Sequence, residues 1–238
     1  MAPSLVCTEL TKTRKSFQLG PITTSLGTEV TCLVGANGAG KSTLMRLILG
    51  LEKATSGGVI VDGARSDLIG YLPQEPVFPA LARVGDYLVH IAMLVGIPRG
   101  ERDEHVQALL STVDLHTRAG SRIGTLSGGM RRRLGLAQAL IGDPSMLLLD
   151  EPTAGLDPHQ RIEMRRAIRS AASRRVTLLS THLVEDVADL AARVCVLREG
   201  QIAAEGSVDE IVERAPSTGT PLSLELALSA LMTGARAS

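Results

Sequence analysis

Residues 35–43 read Gly-Ala-Asn-Gly-Ala-Gly-Lys-Ser-Thr and fit the pattern G-x-x-x-x-G-K-[ST] at Gly35, Gly40, Lys41 and Ser42. These residue types suit a polyphosphate. Gly35, Gly38 and Gly40 lack a Cβ, so the backbone can wrap tightly and aim successive N–H groups at phosphate oxygens. Lys41 supplies a point charge for the outer phosphates, and the Ser42 hydroxyl is placed to ligate Mg²⁺. A second element, Met146-Leu-Leu-Leu-Asp150-Glu151, is an apolar run ending in two acids. Burying two carboxylates is costly unless they meet a cation or perform chemistry. In a phosphate-loop protein, Asp150 suits retention of Mg²⁺, directly or through water, and Glu151 suits polarisation of an attacking water. A third element is Leu126-Ser127-Gly128-Gly129-Met130. Ser127 before two glycines is a helix N-cap with open amides, which is either an anion site or an ordinary capped helix.

The elements that must hold these residues are also legible. Val30–Val34 is an expected buried strand feeding the glycine loop, with a helix over Thr43–Leu49 closed by Gly50. Residues 4–10 and about 16–31 alternate like antiparallel strands, with turns expected at Leu19-Gly20-Pro21 and Leu26-Gly27. Ser56-Gly57-Gly58 turns into a strand over Val59–Val61, Asp62-Gly63 marks a tight turn, and Leu68–Leu72 reads as a short strand. From about 80 to 118 the pattern is helical, with Val84, Leu88, Ile91 and Val95, then Val106, Leu109, Leu110 and Val113. Helices at 128–141, 158–173 and 183–192 alternate with strands at Met146–Leu149, Val176–Ser180 and Val194–Leu197, ending in a turn at Glu199-Gly200. Residues 214–221 have a linker composition. Leu224, Leu228 and Leu231 then share a helical stripe, read as docking on its own domain ahead of binding a partner. The runs Arg131-Arg132-Arg133 and Arg165, Arg166, Arg169, Arg174 and Arg175 read as solvated helix faces, with phosphate or partner contacts as the minority reading.

Composition narrows the class. The 238 residues suit one large α/β domain or a core with a subdomain. Hydrophobic residues make up 44% but aromatics only 2%, so the core must be Leu, Val, Ile and Ala. Lys and Arg number 25 against 25 acids, which argues against duplex DNA or an anionic membrane surface as partner. Cys7, Cys32 and Cys195 are odd in number and lie in apolar stretches, which reads as core thiols in a reducing compartment. No signal-peptide pattern opens the chain, and the apolar stretch Val84–Ile97 is too short and too interrupted to span a bilayer. A soluble or peripheral protein is expected.

Taken together, residues from about 4 to 213 resemble the ATP-binding cassette (ABC) ATPases. Gly35–Thr43 resembles the Walker A loop, and Gln74 in Tyr-Leu-Pro-Gln resembles the Q-loop glutamine. Leu126–Met130 resembles the signature, Asp150-Glu151 the Walker B pair, Ala154–Asp157 the D-loop, and His182 in Ser-Thr-His the switch histidine. The resemblance implies an α/β fold: a P-loop NTPase core with an N-terminal antiparallel β-subdomain and an inserted α-helical subdomain at about 75–135. The cassette would occupy 1–213, and 214–238 a linker with a short C-terminal helix. It implies ATP and Mg²⁺ as ligands. Nucleotide contacts would come from Gly35, Asn37, Gly38, Ala39, Gly40, Lys41, Ser42 and Thr43, and from Ser127, Gly128, Gly129 and Asp157. Mg²⁺ would be held by Ser42, Gln74 and Asp150, and catalysis carried by Glu151, His182, Gln74 and Lys41.

Further implications concern assembly. Two cassettes, identical or not, would pair head to tail so that the signature of one closes the phosphate loop of the other. A separate transmembrane permease would dock on the helical insertion, leaving the cassette cytoplasmic and peripheral on the inner membrane face, with no nucleic acid expected. The wording of the Walker B and switch regions resembles exporter cassettes. A soluble cassette ATPase acting on nucleic acid or ribosomes is the alternative. Two positions depart from the family pattern. Met130 stands where the signature usually has Gln, and no aromatic directly follows Leu10-Thr11-Lys12. Either Phe17 or Arg14 could stack on adenine, with Phe17 read as a core residue in preference.

Overall fold

Strand alternation at the N-terminus builds β1 (Ser4–Arg14), which buries Leu5, Cys7 and Leu10 and turns its polar residues outward. The fold comes from a computed structural model that describes residues 2–62, 69–215 and 223–234. Gly63 of the expected turn, Leu68, and most of the expected linker lie outside these residues. The chain divides into two units, Met1–Ala64 with Val176–Ser238, and Arg65–Arg175.

In the first unit, β1 pairs antiparallel with β2 (Phe17–Leu26) and with the strand Ser56–Asp62, which is β4 in chain order. The reversal between β1 and β2 falls at Lys15-Ser16, not at Leu19-Gly20-Pro21. Gly20 lies inside β2 at φ +82°, and a Cβ there would stand 2.1 Å from the Leu10 carbonyl oxygen. It is glycine because β2 crosses β1 so closely, and its N–H donates to Gly200 O at 2.7 Å. β3 (Val30–Val34) runs parallel to β7 (Val176–Thr181) on one side and β8 (Arg193–Arg198) on the other. All six residues of β7 are buried, as expected of a parallel strand covered on both faces. β9 (Gln201–Gly206) adds antiparallel to β8. The helices are α1 (Lys41–Ile48), α6 (Val184–Leu190), α7 (Val208–Arg214) and α8 (Leu224–Thr233). α8 packs on α7, β8 and β9 through Ala227, Leu228 and Ala230, so it docks on its own unit.

In the second unit, β5 (Ile69–Leu72) and β6 (Met146–Asp150) pair in parallel, Leu72 opposite Leu149. The helical stretch is two helices, α2 (Val84–Leu94) and α3 (Arg102–Thr112), separated where Gly96 takes φ +88° ahead of Pro98. They pack with α4 (Gly128–Ala139) over a core that includes Leu88, Val106, Leu110 and Leu134. α5 (Pro158–Ala171) completes the unit. Among the described residues, no helix is long and apolar enough to cross a membrane.

Candidate nucleotide-binding and hydrolysis residues

β3 delivers Gly35, whose Cβ would lie 2.4 Å from the Leu197 carbonyl oxygen. The loop then runs through exposed Asn37 and Gly38 and buried Ala39, which is tied in by Gly200 N–H donating to Ala39 O at 3.0 Å. Gly40 is the N-cap of α1 in the left-handed region, at φ +109°, with no side-chain cap and no acid in the first helical turn. No side chain of the first turn of α1 therefore neutralises its amides or the positive end of the dipole. Lys41, 7% exposed, donates from Nζ to Gly35 O at 2.7 Å and Ala36 O at 3.3 Å, so its ammonium lies folded over the loop. Ser42 and Thr43 follow, half-buried, in the first turn of α1.

Arg14 and Phe17 separate clearly. The Arg14 guanidinium holds both oxygens of Glu52, at 2.7 and 2.6 Å, and with Lys12 and Arg46 nearby it keeps that carboxyl below the usual range. Phe17 is half-buried and not a core residue: a Cβ on Gly40 would lie 2.8 Å from its Cζ, so the ring borders the glycine loop. Phe17 is the first residue of β2, which is an edge strand of its sheet.

His182 follows β7 and is exposed. Its neighbours are fixed: Thr181 Oγ1 donates to Asp186 Oδ2 at 2.8 Å and accepts from Leu183 N–H at 3.0 Å. Asp186 is fully buried. This residue was not singled out in the sequence, although an acid beside Val187 and Leu190 on the apolar face of α6 was a readable signal.

In the second unit, Asp150 ends β6 and Glu151 follows, 5% and 7% exposed. Glu151 takes φ +50°, a conformation that strains a residue with a Cβ and persists only where the surroundings hold it. Asp157 caps α5 by accepting the Gln160 N–H at 2.9 Å, with Pro158 at the first helical position. Ser127 caps α4 by accepting the Met130 N–H at 3.2 Å. A Cβ on Gly129 would lie 2.7 Å from Gln160 Oε1, so the start of α4 approaches α5 closely. Gly128 and Gln74 are exposed.

The arginine runs are solvated only in part: Arg131, Arg166, Arg169 and Arg174 are exposed, whereas Arg132, Arg133 and Arg175 reach partners within the protein. Arg133 is buried, donating to the carbonyls of Val113 and Asp114 at 3.2 Å, and lies 3.2 Å from Asp114 Oδ2 and 3.4 Å from Glu163. Arg132 donates to the main-chain carbonyls of Gln74, Glu151 (3.2 Å) and Ala154 (3.0 Å). Arg175 bonds Asp143, Pro144 O and Ala171 O. A long guanidinium reaches carbonyls that helical periodicity does not reveal. The phosphate-loop residues and His182 thus fall in the first unit, and Gln74, Ser127–Gly129, Asp150, Glu151 and Asp157 in the second.

Comparison with known proteins identifies the family. The ABC transporter family model matches residues 23–154. The chain is 36% identical over 200 residues to the uncharacterized ABC transporter ATP-binding protein YxlF of Bacillus subtilis, covering 83% of this chain and 68% of that protein. It is 40% identical over 190 residues to the Nod factor export ATP-binding protein I of Rhizobium sp. strain N33, covering 76% and 62%. The chain therefore spans about two thirds of the length of these relatives. A solved ATP-binding subunit of an ABC transporter superposes with a TM-score of 0.81 at 26% identity, covering 95% of this chain and 98% of that one. An inward-facing ABC transporter of the metal-chelate type gives 0.77 at 25% identity, covering 89% and 85%. The α/β fold is that of these ATPase subunits, and the chain belongs to the ABC transporter family as an ATP-binding member.

Proposed function

We propose that this chain is the ATP-hydrolysing subunit of an ABC exporter. The observation that carries the reading is the glycine loop, with Lys41 folded over it at the uncapped start of α1. A triphosphate fits such a cradle: the helix start offers its amides without a side-chain cap, no acid lies in the first turn, and a Cβ at Gly35 or Gly40 would collide with its surroundings. Lys41 would exchange its carbonyl partners for the outer phosphates, and the amides of residues 35–43 would surround the phosphate chain. Ser42, Asp150 and Gln74 would hold Mg²⁺, which when bound neutralises charge on the phosphate oxygens.

Glu151 would take the proton of the attacking water, and His182 would hydrogen-bond the γ-phosphate. Such catalysis is positioning and charge stabilisation, with little covalent chemistry for the protein. Ser127, Gly128 and Gly129 would close over the phosphates of a second cassette, with Asp157 touching that subunit. The cassette domain would span 1–213, with the helical insertion near 75–135 meeting a separate membrane permease at the cytoplasmic face. Export is the direction favoured by the relatives named for Nod factor export, at 36–40% identity.

Purified chain, alone and with a co-expressed membrane subunit, tests the reading. Mg²⁺-dependent ATP hydrolysis that responds to the membrane subunit is expected. Stimulation by nucleic acid or ribosomes instead would overturn it. Lys41→Ala should abolish ATP binding in a calorimeter, and unaltered affinity would contradict the assignment of the loop.

A further inference from the structure

Three main-chain carbonyls from two stretches of the second unit converge on one side chain. Arg132 Nη1 donates to Gln74 O and to Glu151 O at 3.2 Å, and Nη2 donates to Ala154 O at 3.0 Å. Gln74 follows β5, Glu151 follows β6, and Ala154 lies in the same turn, which leads to α5. Arg132 itself belongs to α4, the helix that Ser127, Gly128 and Gly129 begin. Only a guanidinium, with five N–H donors in a rigid plane, bridges carbonyls spread this way.

The bonds fall where the backbone most needs them. Glu151 holds φ +50°, and its carbonyl receives both Arg132 Nη1 and the Ala154 N–H, the latter at 3.2 Å. Holding the carbonyls of Glu151 and Ala154 from one plane fixes the turn between them, and that turn sets where the Glu151 carboxylate is aimed. Burial pushes the Arg132 pKa down while the charges of Glu75 and Glu151 push it back up. The group stays a cation surrounded by carbonyl dipoles.

We infer that Arg132 is a positioning residue for ATP hydrolysis: through three carbonyls it ties the signature helix to the Gln74 segment and holds the strained Glu151 turn in register. The inference rests on the assignment of Glu151 as the group that activates water. Among the described residues the guanidinium hydrogen-bonds main-chain carbonyls, so its loss should move the carboxylate without removing any group that binds nucleotide.

The test compares wild type with Arg132→Lys and Arg132→Gln in the full-length chain. Steady-state MgATP hydrolysis, equilibrium ATP binding by calorimetry and thermal unfolding are measured on each, with Arg166→Gln as a control for lost charge. For the two Arg132 variants, kcat is expected to fall roughly ten- to a hundredfold, less for Lys than for Gln. KM and Kd for ATP should stay within about twofold. The Lys variant, which keeps the charge and the aliphatic stem, should unfold within ~3 °C of wild type. Unchanged kcat in a wild-type background that does hydrolyse ATP overturns the inference and leaves the proposed function standing. Weakened ATP binding, or a kcat loss matched by a collapse in unfolding temperature of both variants, also overturns it. A wild-type chain without MgATP hydrolysis, or a Glu151→Gln variant as active as wild type, sinks both readings at once.

Discussion

The Thr181 hydroxyl donates to Asp186 Oδ2 at 2.8 Å while its oxygen accepts the Leu183 N–H at 3.0 Å, bracketing His182 on both sides. His182 is exposed, and this frame fixes the main chain that carries it. Asp186→Ala takes an acceptor from a buried hydroxyl, at a cost of about 1–3 kcal/mol. Urea unfolding should show that loss. ATP turnover should fall further than ATP affinity, because His182 is the residue displaced. Turnover equal to wild type in a folded variant would show that the frame has no bearing on His182.

Gly38 and Gly40 both take positive φ, +83° and +109°, but only Gly40 is also crowded. A Cβ at Gly40 would lie 2.7 Å from Leu19 Cδ1 and 2.8 Å from Phe17 Cζ, whereas Gly38 has open space. Gly38→Ala should therefore cost only backbone strain of about 1–2 kcal/mol. Gly40→Ala should lower the unfolding midpoint further and weaken ATP binding by about tenfold or more. Equal midpoints for the two variants would contradict the packing described around Phe17 and Leu19.

All three thiols are buried and resist ionisation. Burial, with Glu205 adding to it, lifts Cys7 from the ordinary 9.0 to about 11 and Cys195 to about 12. Cys32 is raised by burial and then by Asp186. The unfolded chain would release these protons from about pH 9, whereas the folded chain keeps them to higher pH. Their contribution is thus whole below pH 9 and declines as pH rises toward 11 and 12. Denaturation in reducing buffer should show stability dropping above pH 9, with a shallower slope in Cys7→Ala. A slope identical in that variant would show that Cys7 ionises alike in both states.

The parts of this molecule that could be read from its sequence are those with local signals. The strand before Gly35, the helix after it, and the caps Ser127 and Asp157 each depend on residues within a few positions of one another. β9 went unread because it is a sheet-edge strand with only Ile202, Ala204 and Gly206 turned inward, a pattern too weak for a period of two. α7 has seven residues, too few for a helical period, although its capping box of Ser207 and Glu210 was there to be read. Gly20 reads as a turn because its real cause, the Leu10 carbonyl of the neighbouring strand, lies ten positions away. Arg132 and Arg133 were hidden for the same kind of reason. Their partners, from Gln74 to Glu163, come from elements scattered along the chain.

The central claim is that Glu151, at a strained position just after β6, activates water for the hydrolysis of ATP bound by the Lys41 loop. Glu151→Gln keeps the size and the backbone contacts of the residue and removes the base. In excess MgATP, sedimentation and phosphate release should be followed on the same sample of this variant. The account predicts a stable ATP-bound dimer with phosphate release reduced about a hundredfold or more. Phosphate release near the wild-type rate would contradict it.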